Sequence, residues 1–469
     1  MTYQGAAGFW CRWAVVGDPA DGVVAPGVLV EVDVDGSVSA VRTGVPEAPP
    51  GAVRLDGLTV PGLANSHSHV FHRALRGRTQ GGRTQGGRTQ GGAGDFWQWR
   101  SLMYAVADRL DPSSLYELAL ATYAEMLLAG ITVVGEFHYL HHGPGGRPYD
   151  RPSAMGEAVV AAASDAGVRL TLLDTCYLHG GIGSPLAGAQ LRFGDGDVTR
   201  WASRVDETAA VVAGAGPAAR LGVAVHSVRA VEPDEVAGVA ALAAEHGWVL
   251  HVHLSEQPAE NEACRAAYGR TPTEVLAAAG ALGPRTTAVH ATHLEPGDLG
   301  LLGAAGAAAC LCPTTERDLA DGVGAAAAMA AAGCRLCLGS DSHAVIDLFE
   351  EARATELDER LTTGRRGVLP PASLLAAATA EGYRALGWEG GGRIAPGGPA
   401  DLTTVSLATP RMAGAPLDRL VDAVVYAATG ADVTDVVVAG RHVVRGARHA
   451  GVDDVPAALD RAVRAAVGG

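Results

Sequence analysis

His67-Ser68-His69 follows the apolar run Leu58-Thr-Val-Pro-Gly-Leu-Ala-Asn65. Residues two apart on a strand point to the same face, so a strand ending in His-x-His aims both imidazoles at one point. That suits a divalent metal, although in a chain with 16 histidines the pair alone decides little. Three further segments carry the same chemistry: His251-Val-His253-Leu-Ser-Glu256, His290-Ala-Thr-His293 and Gly339-Ser-Asp341-Ser-His343. In each, a potential ligand or proton carrier sits at the end of an apolar β-type run or within three residues beyond it. Zinc and similar metals take imidazole nitrogen and carboxylate oxygen, and a catalytic site leaves one position open for water. The pKa of such a water falls from about 15.7 to about 7, giving hydroxide near neutral pH. His67, His69, His253 and Asp341 are the expected ligands of one divalent ion, with Zn2+ the first expectation. Asp341 can also take the proton of the attacking water. Glu256, three residues past a ligand, can protonate a departing nitrogen, and His290 can polarise the group under attack. Plainer readings exist: Asp341 as a helix N-cap, Glu256 as a surface acid, His290 as a core histidine. Four such ends on one rim favour the joint chemical reading.

Those ends need a scaffold. β-type runs at 58–65, 131–136, 169–175, 221–226, 248–254, 287–290, 308–312 and 335–338 alternate with helical stretches. Eight such units predict an α/β fold, a (β/α)8 TIM-like barrel, with its active site on the loops at the C-terminal strand ends. β-rich pieces at 27–34 and 38–42, separated by Asp35-Gly36, have counterparts at 400–405, 421–426 and 433–438. Both chain ends are expected to pair as one small β-sandwich domain. The expected organisation is therefore 1–60 and 389–469 as the two parts of that domain, flanking a catalytic barrel over 61–388.

Of 469 residues 48% are hydrophobic and 19% charged, as in a soluble globular protein with a large core. No apolar stretch reaches the roughly 18 residues of a membrane span, and Met1-Thr-Tyr-Gln-Gly5 lacks the regions of a signal peptide. The expectation is a cytoplasmic protein without a membrane partner. A net charge of −15 argues against nucleic acid as a partner. It also means that an acidic substrate needs local arginines. Seven cysteines, an odd number lying mostly in apolar runs, argue against a disulfide framework. Cys334-Arg-Leu-Cys337 reads as a buried strand rather than a redox or zinc motif. All 36 basic residues are arginine, which excludes lysine Schiff-base, P-loop and carboxylated-lysine mechanisms. Arg78-Thr-Gln-Gly-Gly recurs at 83–87 and 88–92, in the loop after the first barrel strand. Such a glycine-rich repeat cannot bury a core, and it reads as a neutral expansion or a lengthened lid.

Pro61-Gly-Leu-Ala-Asn-Ser-His-Ser-His69, the H-x-x-E of His253 and Glu256, a histidine after strand six and Ser340-Asp341 together resemble the amidohydrolase superfamily. Binuclear members commonly bridge their metals with a carboxylated lysine, which this chain cannot supply. Its H-x-x-E instead resembles the mononuclear deaminase branch. Within that branch, four blocks resemble the formimidoylglutamate deiminase family of histidine degradation: Phe96-Trp-Gln-Trp-Arg-Ser-Leu-Met-Tyr104, Gly135-Glu-Phe-His-Tyr-Leu-His-His142, His226-Ser-Val-Arg-Ala-Val231 and Cys312-Pro-Thr-Thr-Glu316. The resemblance runs from about 61 to 360. It implies hydrolysis of N-formimino-L-glutamate to N-formyl-L-glutamate and ammonia, a small dicarboxylate substrate, and a homodimer.

Two carboxylates favour bidentate arginine forks, and the resemblance implies Arg100 and Arg229 for them, with Tyr139 and His226 as further donors. At position 72 it leads to glutamine, where this chain has histidine. His72 can donate a hydrogen bond and, protonated, would add positive charge near a carboxylate. His138, His141, His142, His293 and His343 read as orienting or packing residues. Two rivals remain. A mononuclear deaminase of another amidine or of an aminated heterocycle such as guanine would favour aromatic walls and amide readers over two arginines. A non-catalytic barrel kept as a binding module predicts the loss of a ligand or proton carrier, and none is missing.

Overall fold

The structure, a computed structural model, describes residues 8–80 and 96–468. The N-terminal stretch 1–7 and the repeat from residue 81 onward lie outside the described residues. Eight parallel strands hydrogen-bond in chain order: β1 Leu63–Ser68, β2 Ile131–His138, β3 Arg169–Cys176, β4 Ala219–Val225, β5 Leu250–Leu254, β6 Thr286–His290, β7 Ala308–Leu311 and β8 Arg335–Leu338. Every residue of β1, β2 and β3 is buried, because helices cover the outside and side chains fill the interior. That double burial makes the strands near-continuous apolar runs in the sequence.

The ends of the sheet meet at the C-terminal rim. Ser68 and Asp341 form a parallel bridge, the Asp341 N–H donates to the His67 carbonyl at 3.0 Å, and the His69 N–H donates to the Asp341 carbonyl at 3.3 Å. The barrel thus closes through the backbone of three residues, His67, His69 and Asp341, whose side chains are expected metal donors. β1 and β2 also approach closely at the other end of β1. A Cβ on Gly62 would lie 2.1 Å from Thr132 Oγ1, so only glycine fits there.

A second eight-stranded sheet comes from both chain ends. Its central strand Val53–Pro61 pairs in parallel with Gly8–Val15 and antiparallel with Leu402–Val405, then runs through Gly62 into β1. Phe9, Val28, Leu55, Leu402 and Val437 form its buried cluster. The strands expected at 38–42 and 433–438 are present. The run at 421–426 is not a strand but part of a helix, Leu420–Ala427. Its β-branched residues suggest a strand, yet Leu420, Val421, Val424 and Val425 bury one helical face, which packs on the helix Leu348–Thr363. The C-terminal helix Val455–Val467 returns to pack on the barrel helix Pro112–Leu128.

All seven cysteines are free and buried, Cys334 and Cys337 at β8 among them. Among the described residues no helix is long and apolar enough to cross a membrane.

Candidate active site

His67 lies in β1 and His69 one residue past it, His253 in β5, His290 at the end of β6, and Asp341 three residues past β8. The fold brings them together. Asp341 Oδ1 lies 3.1 Å from His67 Nε2 and 3.3 Å from His69 Nε2, and His67 Nε2 lies 3.1 Å from His253 Nε2. Donors about 2.1 Å from one shared ion stand roughly 3–3.5 Å apart, which matches these edges.

The hydrogen bonds behind the rings test the fit independently. His69 Nδ1 faces the Phe137 carbonyl at 2.9 Å, and His253 Nδ1 faces the His226 carbonyl at 2.9 Å. A carbonyl only accepts, so both Nδ1 atoms carry the proton. Burial keeps both imidazoles neutral by pulling their pKa values down, and it pulls His67 down to about 3. His69 Nε2 is therefore a bare lone pair facing a carboxylate oxygen at 3.3 Å. Burial would push the Asp341 carboxyl up, but the His67 hydrogen bond and nearby imidazoles hold it well below the usual range. An anion and converging lone pairs, all buried, repel one another unless a cation sits among them. The donor set fits a divalent metal.

His290 belongs to the same cluster, within 4.8 Å of His67, His253 and Asp341, but its electrostatics differ. Nε2 faces Glu256 Oε1 at 3.8 Å and Nδ1 faces Glu316 Oε1 at 3.4 Å. Burial opposes charge on this ring, but Glu256, Glu316 and Asp341 outweigh it and push its pKa up to about 10. His290 is thus a hydrogen-bond donor, whereas His69 and His253 offer lone pairs at Nε2. Ser255, His290, Ala291, Asp341 and His343 all have positive φ, between 41° and 68°. Each such non-glycine residue costs about 1–3 kcal/mol, and they gather at this rim.

One cavity of about 340 Å³ ends on this cluster, with His69, His253, Glu256, His290 and Asp341 at its base. Arg100, Tyr139, His226 and Arg229 line its sides. Arg229 donates to Glu256 Oε2 at 2.9 Å, and Arg100 donates to the Tyr104 hydroxyl at 2.5 Å while lying over that ring. Trp99, Tyr104, Tyr177 and Phe193 supply aromatic wall. His72, on the turn Val70–Leu75, also lines the cavity, with Nε2 2.9 Å from the Tyr139 hydroxyl. Burial drives its pKa well down, so it is a neutral hydrogen-bonding group and brings no positive charge.

Two supporting carboxylates, Glu136 and Glu316, sit inside the sequence blocks singled out above without an assigned role. Glu136 accepts from Ser68 Oγ at 2.7 Å and from the Val70 N–H at 2.7 Å, holding one side chain and one backbone group on either side of His69. Burial pushes its carboxyl up to about 8. Glu316 accepts the Cys312 N–H at 2.9 Å and holds His290 from behind. The His226 carbonyl aligns His253, a role invisible in side-chain identity. His343 bonds Ser68 Oγ at 3.2 Å and Ser340 Oγ at 3.0 Å, an orienting role.

An eight-stranded barrel with this rim of histidines and aspartate defines a metal-dependent hydrolase, and the chain belongs to the amidohydrolase family, whose model matches residues 58–443. A formimidoylglutamate deiminase of Pseudomonas aeruginosa is 39% identical over 90% of this chain and 92% of its own length. A 5-methylthioadenosine/S-adenosylhomocysteine deaminase of Pelotomaculum thermopropionicum is 29% identical over 85% of this chain and 84% of its own. The crystal structure of an amidohydrolase from Brucella melitensis superposes with a TM-score of 0.88 at 34% identity, covering 98% of this chain and 99% of that one.

Proposed function

We propose that this chain hydrolyses N-formimino-L-glutamate to N-formyl-L-glutamate and ammonia. One observation carries the reading: two guanidiniums, Arg100 and Arg229, line the same cavity that ends on the histidine–aspartate cluster. A planar base needs no pair of arginines, whereas a dicarboxylate does. The 39% identity to a formimidoylglutamate deiminase supports the same choice.

His67, His69, His253 and Asp341 hold one divalent ion, for which zinc is the choice on donor type. Bound there, the ion supplies the Lewis acidity that makes water a nucleophile near neutral pH. The chain's residues do the rest. Arg100 and Arg229 hold the carboxylates, with Tyr139, His226 and His72 as neutral hydrogen-bonding partners. Asp341 accepts a proton from the attacking water as its oxygen bonds to the formimino carbon. His290, protonated, donates a hydrogen bond toward that reacting centre. Glu256 carries the water's other proton from the new C–OH group to the terminal nitrogen, and Asp341 hands over the first as the C–N bond breaks, so both protons of the water end on the departing ammonia. Seven free, buried cysteines accord with a cytoplasmic setting, and the family resemblance supports a homodimer.

The aromatic wall of Trp99, Tyr104, Tyr177 and Phe193 favours a second reading, deamination of an aminated heterocycle. Ammonia release by the zinc-loaded protein separates the two. Turnover of N-formimino-L-glutamate with no turnover of guanine or adenosine is the expected outcome; the reverse pattern overturns the assignment.

A further inference from the structure

Glu256 and Arg229 both need aiming, and a residue outside the proposed machinery touches the framework of each. Glu260 stands on the first turn of the helix Pro258–Tyr268, its side chain fully enclosed. Its Oε1 accepts the Ser255 N–H at 3.3 Å and its Oε2 accepts the Glu256 N–H at 3.3 Å. Oε2 also faces Arg229 Nε at 3.6 Å, beside the Nη2 that donates to Glu256. One buried carboxylate therefore gathers the turn after β5 and the arginine across the cavity.

The turn needs a tether because Ser255 sits at φ 49°, a conformation that a side chain other than glycine's disfavours. Without it the backbone would relax, and Glu256, one residue on, would swing with it. Arg229 needs one because its other charge partner is the proton carrier itself, with Ser227 Oγ, at 3.3 Å, a neutral hydrogen-bond partner. Burial disfavours charge on Arg229, and Glu260 and Glu256 together outweigh that cost. Enclosing a carboxylate is expensive unless it is fully bonded, and here its two oxygens have three partners, all belonging to this one loop and this one arginine.

We infer that Glu260 is a positioning residue for the reaction, holding Glu256 toward the reacting centre through the Ser255–Glu256 backbone and holding Arg229 toward the substrate carboxylate. This rests on the proposed function in the roles given to Glu256 and Arg229. A shift of about 1 Å in a reacting group costs up to about 100-fold in rate, so the effect is measurable without loss of the fold.

The test compares Glu260→Gln, Glu260→Asp, Arg229→Met and the double variant Glu260→Gln/Arg229→Met, each as the full zinc-loaded chain, with kinetics on N-formimino-L-glutamate and zinc content measured in parallel. Glutamine replaces one acceptor oxygen with a donor, so it cannot satisfy both backbone N–H groups. Glu260→Gln is expected to keep its zinc, to lose about 10–100-fold in kcat and to raise KM about tenfold. Glu260→Asp, with both oxygens on a shorter arm, is expected to recover part of each. It carries the test if the glutamine variant does not fold. In the Arg229→Met background the Glu260 substitution is expected to lower kcat again but to leave KM where it is. Arg229→Met with an unchanged KM would remove Arg229 from substrate binding, leaving Glu260 to be judged on kcat alone. The inference is overturned if kcat per bound zinc and KM in the Glu260 variants stay within about twofold of the parent, any lost activity following lost zinc or lost fold.

Discussion

Glu256→Gln is expected to lower kcat by about 10²–10⁴-fold while the protein keeps its metal. Glutamine preserves the shape of the side chain and an oxygen for Arg229, which donates to Glu256 Oε2 at 2.9 Å. It removes only the ability to carry a proton to the leaving nitrogen. The metal cluster should be untouched, because its close group is His67, His253, His290 and Asp341, with His69 beside Asp341. Ammonia release and zinc content, measured on the same preparation, check this. A variant within threefold of the parent in kcat would assign the proton transfer to another group.

Asp341→Ala is the second large effect, and it differs in kind. Asp341 Oδ1 lies 3.1 Å from His67 Nε2 and 3.3 Å from His69 Nε2, so its loss removes the only carboxylate within 4 Å of those ring nitrogens among the described residues. Three neutral imidazoles hold a dication less well than three imidazoles and a carboxylate. The variant is expected to lose zinc on dialysis that the parent withstands. Even saturated with zinc, it should lose about 10²–10⁴-fold in kcat, because the acceptor of the water's proton is gone. The fold should survive, since closure of the barrel at this point runs through the backbone N–H and carbonyl of residue 341, which alanine retains. Full zinc occupancy after dialysis together with full turnover would remove Asp341 from the centre.

These two residues illustrate what a sequence reveals. Barrel strands buried on both faces carry long apolar runs, and residues at their C-terminal ends share one rim, so His67, His69, His253, Glu256, His290 and Asp341 are legible in the sequence as one group. The run at 421–426 could not be assigned by composition, because its valines suit a strand while the burial of Leu420, Val421, Val424 and Val425 belongs to a helix. Period, not residue type, was the signal there. Glu136 and Glu316 lay inside recognised blocks, but a buried carboxylate gripping backbone N–H groups looks in sequence like any other acid. Glu260 is the extreme case: four residues past Glu256 on a polar helix, it reads as a solvated face, and only the enclosed side chain shows otherwise. The neutrality of His72 likewise depends on burial that spacing does not report.

The central claim is that a single divalent ion, held by His67, His69, His253 and Asp341, drives hydrolysis of a formimino group. Reconstitution tests it most directly: the protein is stripped with a chelator, zinc is added in known equivalents, and ammonia release from N-formimino-L-glutamate is followed at each step. Activity is predicted to be absent at zero equivalents, to rise in proportion to added zinc and to level off at one equivalent per chain. Turnover by the stripped protein, or a rise that continues to two equivalents, would contradict it.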